Sequence, residues 1–530
     1  MNLDSSEFKE LINTIKDSFR ARRNLNPLYV DVGDNLARIG AAQHQIVFGR
    51  RGSGKSSLLV HYLNAAIPND VLGIYILADE YKRLTYPDIL IRLLIEILES
   101  LPVSWRWLKR LLRLKIPTQI CARELRLLLD MAEDSDVIDN QKKTTKHEAR
   151  AKVTSKSIGE ASLGSVSGGS HERTSSFKEK KLDTLERHLR DYKNAISENI
   201  SKSKKKSAYV FVDDFYLMPL ERHPDLLDYL HRLLRDTELY MKVATVRHRT
   251  KLIRNHPQTI GVELSQDVEE ITLDLTLEDI EATEEYLGKM LDLIAREVGI
   301  EDILTDNFNQ EALQALTLTS GGVPRDFLNI FINAIDASLA EKKTKWLTPK
   351  YIYKGAGRLA YKTKLNFLRE DASGDSEGLE RLLYDLLSFC LREKKKTSFL
   401  ISQDEAQTSP RDHDLIQQLM DFKLIHVVEP DTSAASGRPG RYEAYTLDFS
   451  LFMEPRRRNI EIVEFWKIDD NRRRTGIREA PVYPLARAGQ VFDDVGQDAN
   501  LDSILEETGR FPQLQTEEPM PAKQGSLFDG

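Results

Sequence analysis

The chemistry of this chain is concentrated in eight residues, Gly49-Arg50-Arg51-Gly52-Ser53-Gly54-Lys55-Ser56, which follow the apolar run 45–48 and lead straight into an amphipathic stretch. Gly-x-x-x-x-Gly-Lys-Ser with a strand before it and a helix after it is a phosphate-binding loop. Gly49, Gly52 and Gly54 admit backbone conformations and close approaches that a Cβ would hinder, so that successive N–H groups can point at phosphate oxygens. The helix that starts near Lys55 adds the positive end of its dipole. In such a loop the lysine, here Lys55, reaches the β- and γ-phosphates, and the hydroxyl of Ser56 ligates Mg²⁺. Residues Gly49 to Ser57 are therefore the expected cradle for ATP and its Mg²⁺.

Three further groups of residues belong with that loop. Tyr209-Val210-Phe211-Val212 is an apolar run closed by Asp213 and Asp214, the pattern of a strand buried on both faces with carboxylates at the end where parallel sheets bind ligands. Asp213 is expected to hold the cation, directly or through water, and Asp214 to orient or deprotonate an attacking water. The strand-like run 241–247 ends in polar groups, with Thr245 placed to sense a γ-phosphate. Arg247, Arg249 and Arg254 follow as candidates for an arginine finger offered to a neighbouring subunit, and spacing does not choose among them. Finally, Ser320-Gly321-Gly322-Val323-Pro324-Arg325 sets a proline in the first turn of a helix and Arg325 at its start, able to reach phosphate.

These residues need a frame, and the chain is long enough to supply one. Its 530 residues suit two or three domains, each burying its own core. A net charge of −7 argues against a protein that coats nucleic acid, so any DNA contact must come from local patches. The two cysteines, Cys121 and Cys390, lie far apart in helical apolar patterns. They read as core thiols of a reducing compartment and exclude a disulfide framework or a zinc site. A basic and then apolar leader is lacking, and so is any run of membrane-spanning length, which makes a cytoplasmic location without a membrane partner the expectation.

The pattern along the chain gives a helical lead-in at 1–44, with Phe8, Leu11, Ile12, Ile15 and Phe19 at helical spacing, and a phosphate-loop core at 45–276. Its strands fall at 45–48, 71–77, 209–212 and 241–247, with a fifth near 262–264 or 271–275. A helical insertion at 82–206 interrupts this core. Its part 133–206, polar, Gly- and Ser-rich and then charged, cannot bury enough apolar area to offset its ordering entropy, so it is expected to be partly disordered and on the surface. A helical region spans 277–360, a smaller domain 378–450, and a flexible acidic tail 480–530.

Five elements in this order, Gly49–Ser56, Val210–Asp214, Thr245–Arg247, the helical region and Gly321–Arg325, resemble an AAA+ ATPase. Within that superfamily the chain is most similar to the origin-recognition and initiator-type branch, with features of STAND-like ATPases. The resemblance covers about residues 25–450. It implies an α/β P-loop parallel sheet with a helical lid, a nucleotide held between them, Thr245 as first sensor and Arg325 as second. It also implies nucleotide-dependent assembly with further copies or a partner protein. Initiators carry Asp-Glu where this chain has Asp213-Asp214, a pair more usual in STAND-type switches, and the shorter carboxylate suggests slow hydrolysis. Two functions follow from the resemblance. One is an ATPase coupling nucleotide state to assembly on DNA; the other is an ATP-dependent oligomerisation switch that signals to protein partners in defence or regulation.

The smaller domain reads helix, strand, helix, strand, wing, strand, the order of a winged helix, which initiator-type proteins also carry after the lid. Ser409, Pro410 and Asp412 mark the start of its recognition helix, which exposes Arg411, Gln417 and Gln418. Arg438 and Arg441 in the wing, with Arg456, Arg457 and Arg458 behind it, are candidates for phosphate contacts that position without specifying bases. The chain ends Gln524-Gly-Ser-Leu527-Phe528-Asp-Gly. This resembles short peptides that dock into bacterial sliding clamps, with Leu527 and Phe528 filling an apolar pocket.

Overall fold

The computed structural model describes residues 2–19, 29–102 except 32, 117–130, 168–434 except 310, 344 and 372–375, 439–452, 461–467 and 474–494. The chain folds into two compact units, one of Lys16–Asp274 and one of Met1–Ile15 together with Leu275–Gly530.

The first unit is built on five parallel strands, β1 (Gln45–Phe48), β2 (Val71–Leu77), β3 (Ser207–Asp213), β4 (Leu239–Thr245) and β5 (Glu269–Thr272), in the order β2-β3-β4-β1-β5. β1 and β3 are buried along their whole length, as their unbroken apolar runs require of inner strands covered on both faces. The fifth strand is Glu269–Thr272 and not 262–264. It closes the sheet at an edge, where one apolar residue, Ile271, suffices, and its two glutamates hide it from a search for apolar runs. Val262 and Leu264 follow instead a short hairpin, Ile253–Arg254 paired with Ile260–Gly261.

Period-two alternation divides the sheet between two cores. Ile46, Phe48, Ile74, Ile76, Val210, Val212, Met241 and Val243 share one core, and Val47, Tyr209, Phe211, Ala244 and Ile271 the other. The second is covered by α1 (Lys55–His61) through Leu58 and Leu59. The first is covered by α2 (Asp88–Ser100), α3 (Gly168–Lys202) and α4 (His223–Leu234). Two of those three helices, α2 and α3, come from the insertion expected at 82–206, and α3 from the part of it expected on the surface. α3 carries Leu185, Tyr192, Ile196 and Ile200 into the core at steps of seven, four and four, a stripe obscured by the charges between them. Of the segment 133–206, expected on the surface and partly disordered, 133–167 lies outside the described residues, while the rest is helical from Gly168 to Lys202 and carries these side chains into the core. Cys121 and Cys390 are buried, and burial pushes both thiols up, Cys121 to about 11.

In the middle of β4, opposite the first residue of β1, a lysine is sealed inside this unit. Lys242 Nζ donates to the carbonyls of Ala41 (2.6 Å) and Gln43 (2.9 Å) and to Oε1 of Gln45 (2.5 Å), so one cation gathers the loop that leads into β1. Burial lowers its pKa from 10.5 to about 7. Between those values the unfolded chain binds more protons than the folded one, so this group makes stability rise with pH. Lys242→Met strands three acceptors, at a cost of about 1–3 kcal/mol near neutrality. It also removes the pH slope, so the deficit against wild type widens from pH 7 to pH 10. Parallel unfolding curves for the two proteins across that range would contradict the assignment.

The second unit opens with a helix, Ser6–Ser18, whose Phe8, Leu11 and Ile15 are buried. It continues with α5 (Ile280–Glu297), α6 (Ala312–Ser320), α7 (Pro324–Ala340) and α8 (Pro349–Leu359). A smaller α/β core follows, made of α9 (Ser376–Leu387), β6 (Ser398–Ser402), α10 (Gln403–Thr408), α11 (Pro410–Asp421), β7 (Ile425–Thr432) and β8 (Tyr442–Leu447). Its antiparallel strands lie in the order β6-β8-β7. This is a winged-helix arrangement with two helices, where one was expected, between the first two strands. The hydroxyl of Ser409 makes no cap bond at the start of α11. Ser402 caps α10 instead, accepting from the N–H of Glu405.

The tail begins later than expected. Residues 481–483 pair with the open edge of β6, the N–H of Leu400 donating to Pro481 O and that of Tyr483 to Leu400 O, each at 2.8 Å. α12 (Leu485–Asp493) then buries Leu485 and Ala488 in the same core. The acidic composition after 493 spread the expected tail back over a segment whose few apolar residues cover an otherwise unpaired edge.

Candidate functional site

Gly49 to Ser56 join the end of β1 to the start of α1, and the loop is drawn tight by its own residues. Gly52 (φ +91°) and Gly54 (φ +98°) take the left-handed backbone that glycine adopts without strain. A Cβ on Gly49 would come within 2.3 Å of Ser53 Oγ. Lys55 is buried, and its Nζ donates to Gly49 O (2.6 Å) and Arg50 O (3.1 Å), so the lysine cation rests on the carbonyls of its own loop. Ser53 Oγ is buried without a hydrogen-bond partner. Asp274, just past β5, holds the loop from outside. Its Oδ1 accepts from the Arg50 N–H at 2.7 Å, and Arg50 Nε lies 3.5 Å from the same oxygen. Sequence reasoning passed over Asp274, whose one signal was a carboxylate at the carboxyl end of a strand. Gly49→Ala is expected to force Ser53 aside and weaken ATP binding at least tenfold, while costing about 1 kcal/mol of stability. Isothermal calorimetry and thermal melting read the two effects separately.

Asp213 ends β3 on the face that Tyr209 and Phe211 share with α1. It is buried, with 1% of its surface exposed. Its Oδ2 accepts from the hydroxyl of Tyr75 on β2 at 2.6 Å, and its Oδ1 from the N–H of Asp214 at 2.9 Å. Asp214 has φ +53° and ψ +37°, a left-handed conformation that aspartate tolerates better than most residues, and it turns the chain out of the strand. Thr245 ends β4 on the opposite face, the one that Met241 and Val243 bury. It is inaccessible, and its hydroxyl lies 2.6 Å from that of Thr250. Each candidate finger has a local partner. Arg247 pairs with Glu270 and lies 4.1 Å over the Phe48 ring. Arg249 lies 5.6 Å over Tyr216, and Arg254 is held by both oxygens of Asp225 at 2.8 and 3.0 Å.

The phosphate loop thus follows an inner strand of a parallel sheet ordered β2-β3-β4-β1-β5, the carboxylate pair closes β3, and the helical and winged-helix elements come after in the chain. This is the AAA+ fold. No protein-family model matches the sequence, and no curated protein does. Among solved structures the chain is similar to Cdc6p from Pyrobaculum aerophilum, with 11% identity, 93% of this chain and 99% of that one covered, and a TM-score of 0.34. It is similar to a structure of Drosophila ORC bound to DNA, with 10% identity, coverage of 84% and 90%, and a TM-score of 0.34. The Aeropyrum pernix Orc1 protein in complex with DNA gives 12% identity, coverage of 84% and 90%, and a TM-score of 0.30.

In the second unit the segment around Arg325 is joined to the winged helix by buried charge. Gly321 and Gly322 have φ of +59° and +75°, and a Cβ on Gly321 would meet the His426 ring of β7 at 2.0 Å. Pro324 and Arg325 open α7, as the sequence indicates. The next residue, Asp326, accepts from Lys423 Nζ at 3.0 and 3.1 Å. Lys364 Nζ lies 3.8 Å from Asp326 and donates to Asp448 Oδ2 at 2.6 Å, where His426 Nε2 also donates at 2.7 Å. All five side chains are buried. Burial pushes Lys423 down to about 8, with Lys364 and Arg325 pushing the same way against the pull of Asp326. Burial alone would raise Asp448, but Lys364 and His426 hold it well below the usual carboxylate range. Nothing in the spacing announced this chain, because its members come from four separate stretches of sequence.

The surface expected to meet DNA is partly engaged within the unit. On α11, Arg411 is held by both oxygens of Asp493 on α12 at 2.6 and 3.0 Å, and Asp412 lies against Gly489 of the same helix. Gln417 donates to the Tyr445 hydroxyl at 2.7 Å, and Gln418 to Asp414 at 3.0 Å. Arg441 pairs with Asp431 across the base of the wing. Arg438, Arg456, Arg457 and Arg458 lie outside the described residues, as do Gln524, Leu527 and Phe528. Among the described residues no helix is long and apolar enough to cross a membrane.

Proposed function

We propose that this chain is an ATP-binding AAA+ protein that couples its nucleotide state to assembly on DNA through the winged helix. The observation that carries the reading is the pairing of a complete phosphate loop with a buried ionic chain, Asp326, Lys423, Lys364, Asp448 and His426, that starts one residue after Arg325 and ends in the winged helix. Gly49 to Ser57 would hold the phosphates. Lys55 would exchange its two carbonyl acceptors for charged phosphate oxygens, which make stronger hydrogen bonds, and the unpartnered Ser53 hydroxyl fits a ligand that supplies acceptors. Ser56 and Asp213 would hold Mg²⁺, with phosphate and water completing its shell as that ion prefers. The bound ion would supply neutralisation of phosphate charge. Asp214 would orient the water, and its short side chain suits slow turnover. Arg325 would be the lid's nucleotide sensor. Thr245 would sense a γ-phosphate only after its hydroxyl leaves Thr250.

A second reading has its own support. Arg411 and Arg441, two of the basic groups that a DNA-binding winged helix would present, are spent on Asp493 and Asp431. Such exposed pairs are worth only about 0–1 kcal/mol each, so DNA could displace them, but they equally suit a domain that meets protein, as in a STAND-like switch. ATPase assays with and without duplex DNA separate the two. Stimulation by DNA supports the first reading. ATP-dependent oligomerisation indifferent to DNA overturns it in favour of the second.

A further inference from the structure

We infer that Tyr75 is a positioning residue for the cation-binding carboxylate, a role that rests on the Mg²⁺ and ATP reading above. The register between β2 and β3 sets Tyr75 opposite Phe211 and Leu77 opposite Asp213. Residues two apart share a face, so Tyr75 is the diagonal neighbour of Asp213 on the face of α1, a separation that an aromatic side chain can span. The phenol bridges it, and its hydroxyl donates to Oδ2 of Asp213 at 2.6 Å.

The rest of the carboxylate's surroundings give this bond its meaning. Oδ1 takes the N–H of Asp214, so each oxygen has one donor of fixed position. An ionised carboxylate has about four acceptor positions, so two remain for a cation and a bound water. The two donors fix the plane of the carboxylate before any cation arrives, as outer partners of metal ligands do. Packing alone does not call for the hydroxyl. The β2 run Val71-Leu-Gly-Ile-Tyr-Ile-Leu77 is otherwise aliphatic apart from Gly73, and a phenylalanine at 75 would fill the same space.

The test uses the full chain and a fluorescent ATP analogue, with Mg²⁺ titrated from an EDTA baseline, for wild type, Tyr75→Phe and Asp213→Asn. Tyr75→Phe is expected to need about tenfold more Mg²⁺ for half-maximal effect, the lower end of what loss of an outer partner costs. Its cation-free nucleotide affinity should stay at the wild-type value, and its melting temperature should fall by no more than a few degrees, as loss of one hydrogen bond entails. Asp213→Asn should lose most of the Mg²⁺ dependence. Wild-type Mg²⁺ dependence in Tyr75→Phe overturns the assignment while leaving the ATP reading intact. So does a uniform weakening with and without Mg²⁺ accompanied by a larger fall in melting temperature, which marks a packing role. A wild-type protein whose nucleotide affinity ignores Mg²⁺ overturns the ATP and Mg²⁺ reading itself, and this assignment with it.

Discussion

Lys55→Ala is expected to weaken ATP binding by about 10²–10³-fold, the scale on which removing one preorganised charged or polar donor from a phosphate or oxyanion site acts. The fold should hardly notice. Lys55 Nζ donates to Gly49 O and Arg50 O of its own loop, and losing such bonds costs about 1 kcal/mol each. The variant should therefore melt within a few degrees of wild type and still fail to retain nucleotide in a filter or calorimetric assay. Both halves matter. A collapse of stability would make Lys55 a structural residue, and affinity close to wild type would mean that the loop is not the nucleotide site.

Asp326→Ala is expected to destabilise the second unit by about 3–5 kcal/mol, because it leaves Lys423 buried beside Lys364 without the carboxylate between them. Removing the orphaned cation as well should restore much of the loss, since a buried ion pair can be replaced by apolar groups at little cost. The double variant Asp326→Ala with Lys423→Met should thus be more stable than the sum of the single changes predicts, with a coupling of about 1–3 kcal/mol in a double-mutant cycle. Additive losses would show that the two side chains do not work as a pair. In the proposed function this chain of charges relays the state of the segment at Arg325 to β7. The stable double variant should then bind ATP normally and lose the effect of ATP on DNA affinity.

What could be read from the sequence divides along a physical line. Gly49 to Ser56 and Asp213 were legible because their chemistry depends on short-range spacing, with a strand on one side and a helix or turn on the other. β1 and β3 announced themselves by apolar runs, and β2 and β4 by apolar runs interrupted only at Gly73 and Lys242. The edge strand at 269–272 did not, since three of its four residues are polar. α3 was half legible: its charged face resembled a solvated helix, and the stripe of Leu185, Tyr192 and Ile196 became decisive only once it met the sheet. The same limit explains α12, mistaken for tail because its composition continues into the acidic segment after it. Contacts at long sequence separation could not be read at all. Tyr75 with Asp213, Asp274 with Arg50, and Asp326 with Lys423 each join residues that only the fold brings together. The face of Thr245 also depended on alternation along a strand whose limits could be read only approximately.

The central claim is that nucleotide state governs assembly, and it is met most directly by measuring the mass of the full chain in solution with and without ATP and duplex DNA. Wild type is expected to form a larger species with ATP and Mg²⁺ and to gain further mass on DNA, while Lys55→Ala keeps its nucleotide-free mass under both conditions. A wild-type mass that responds to neither ATP nor DNA would contradict the account.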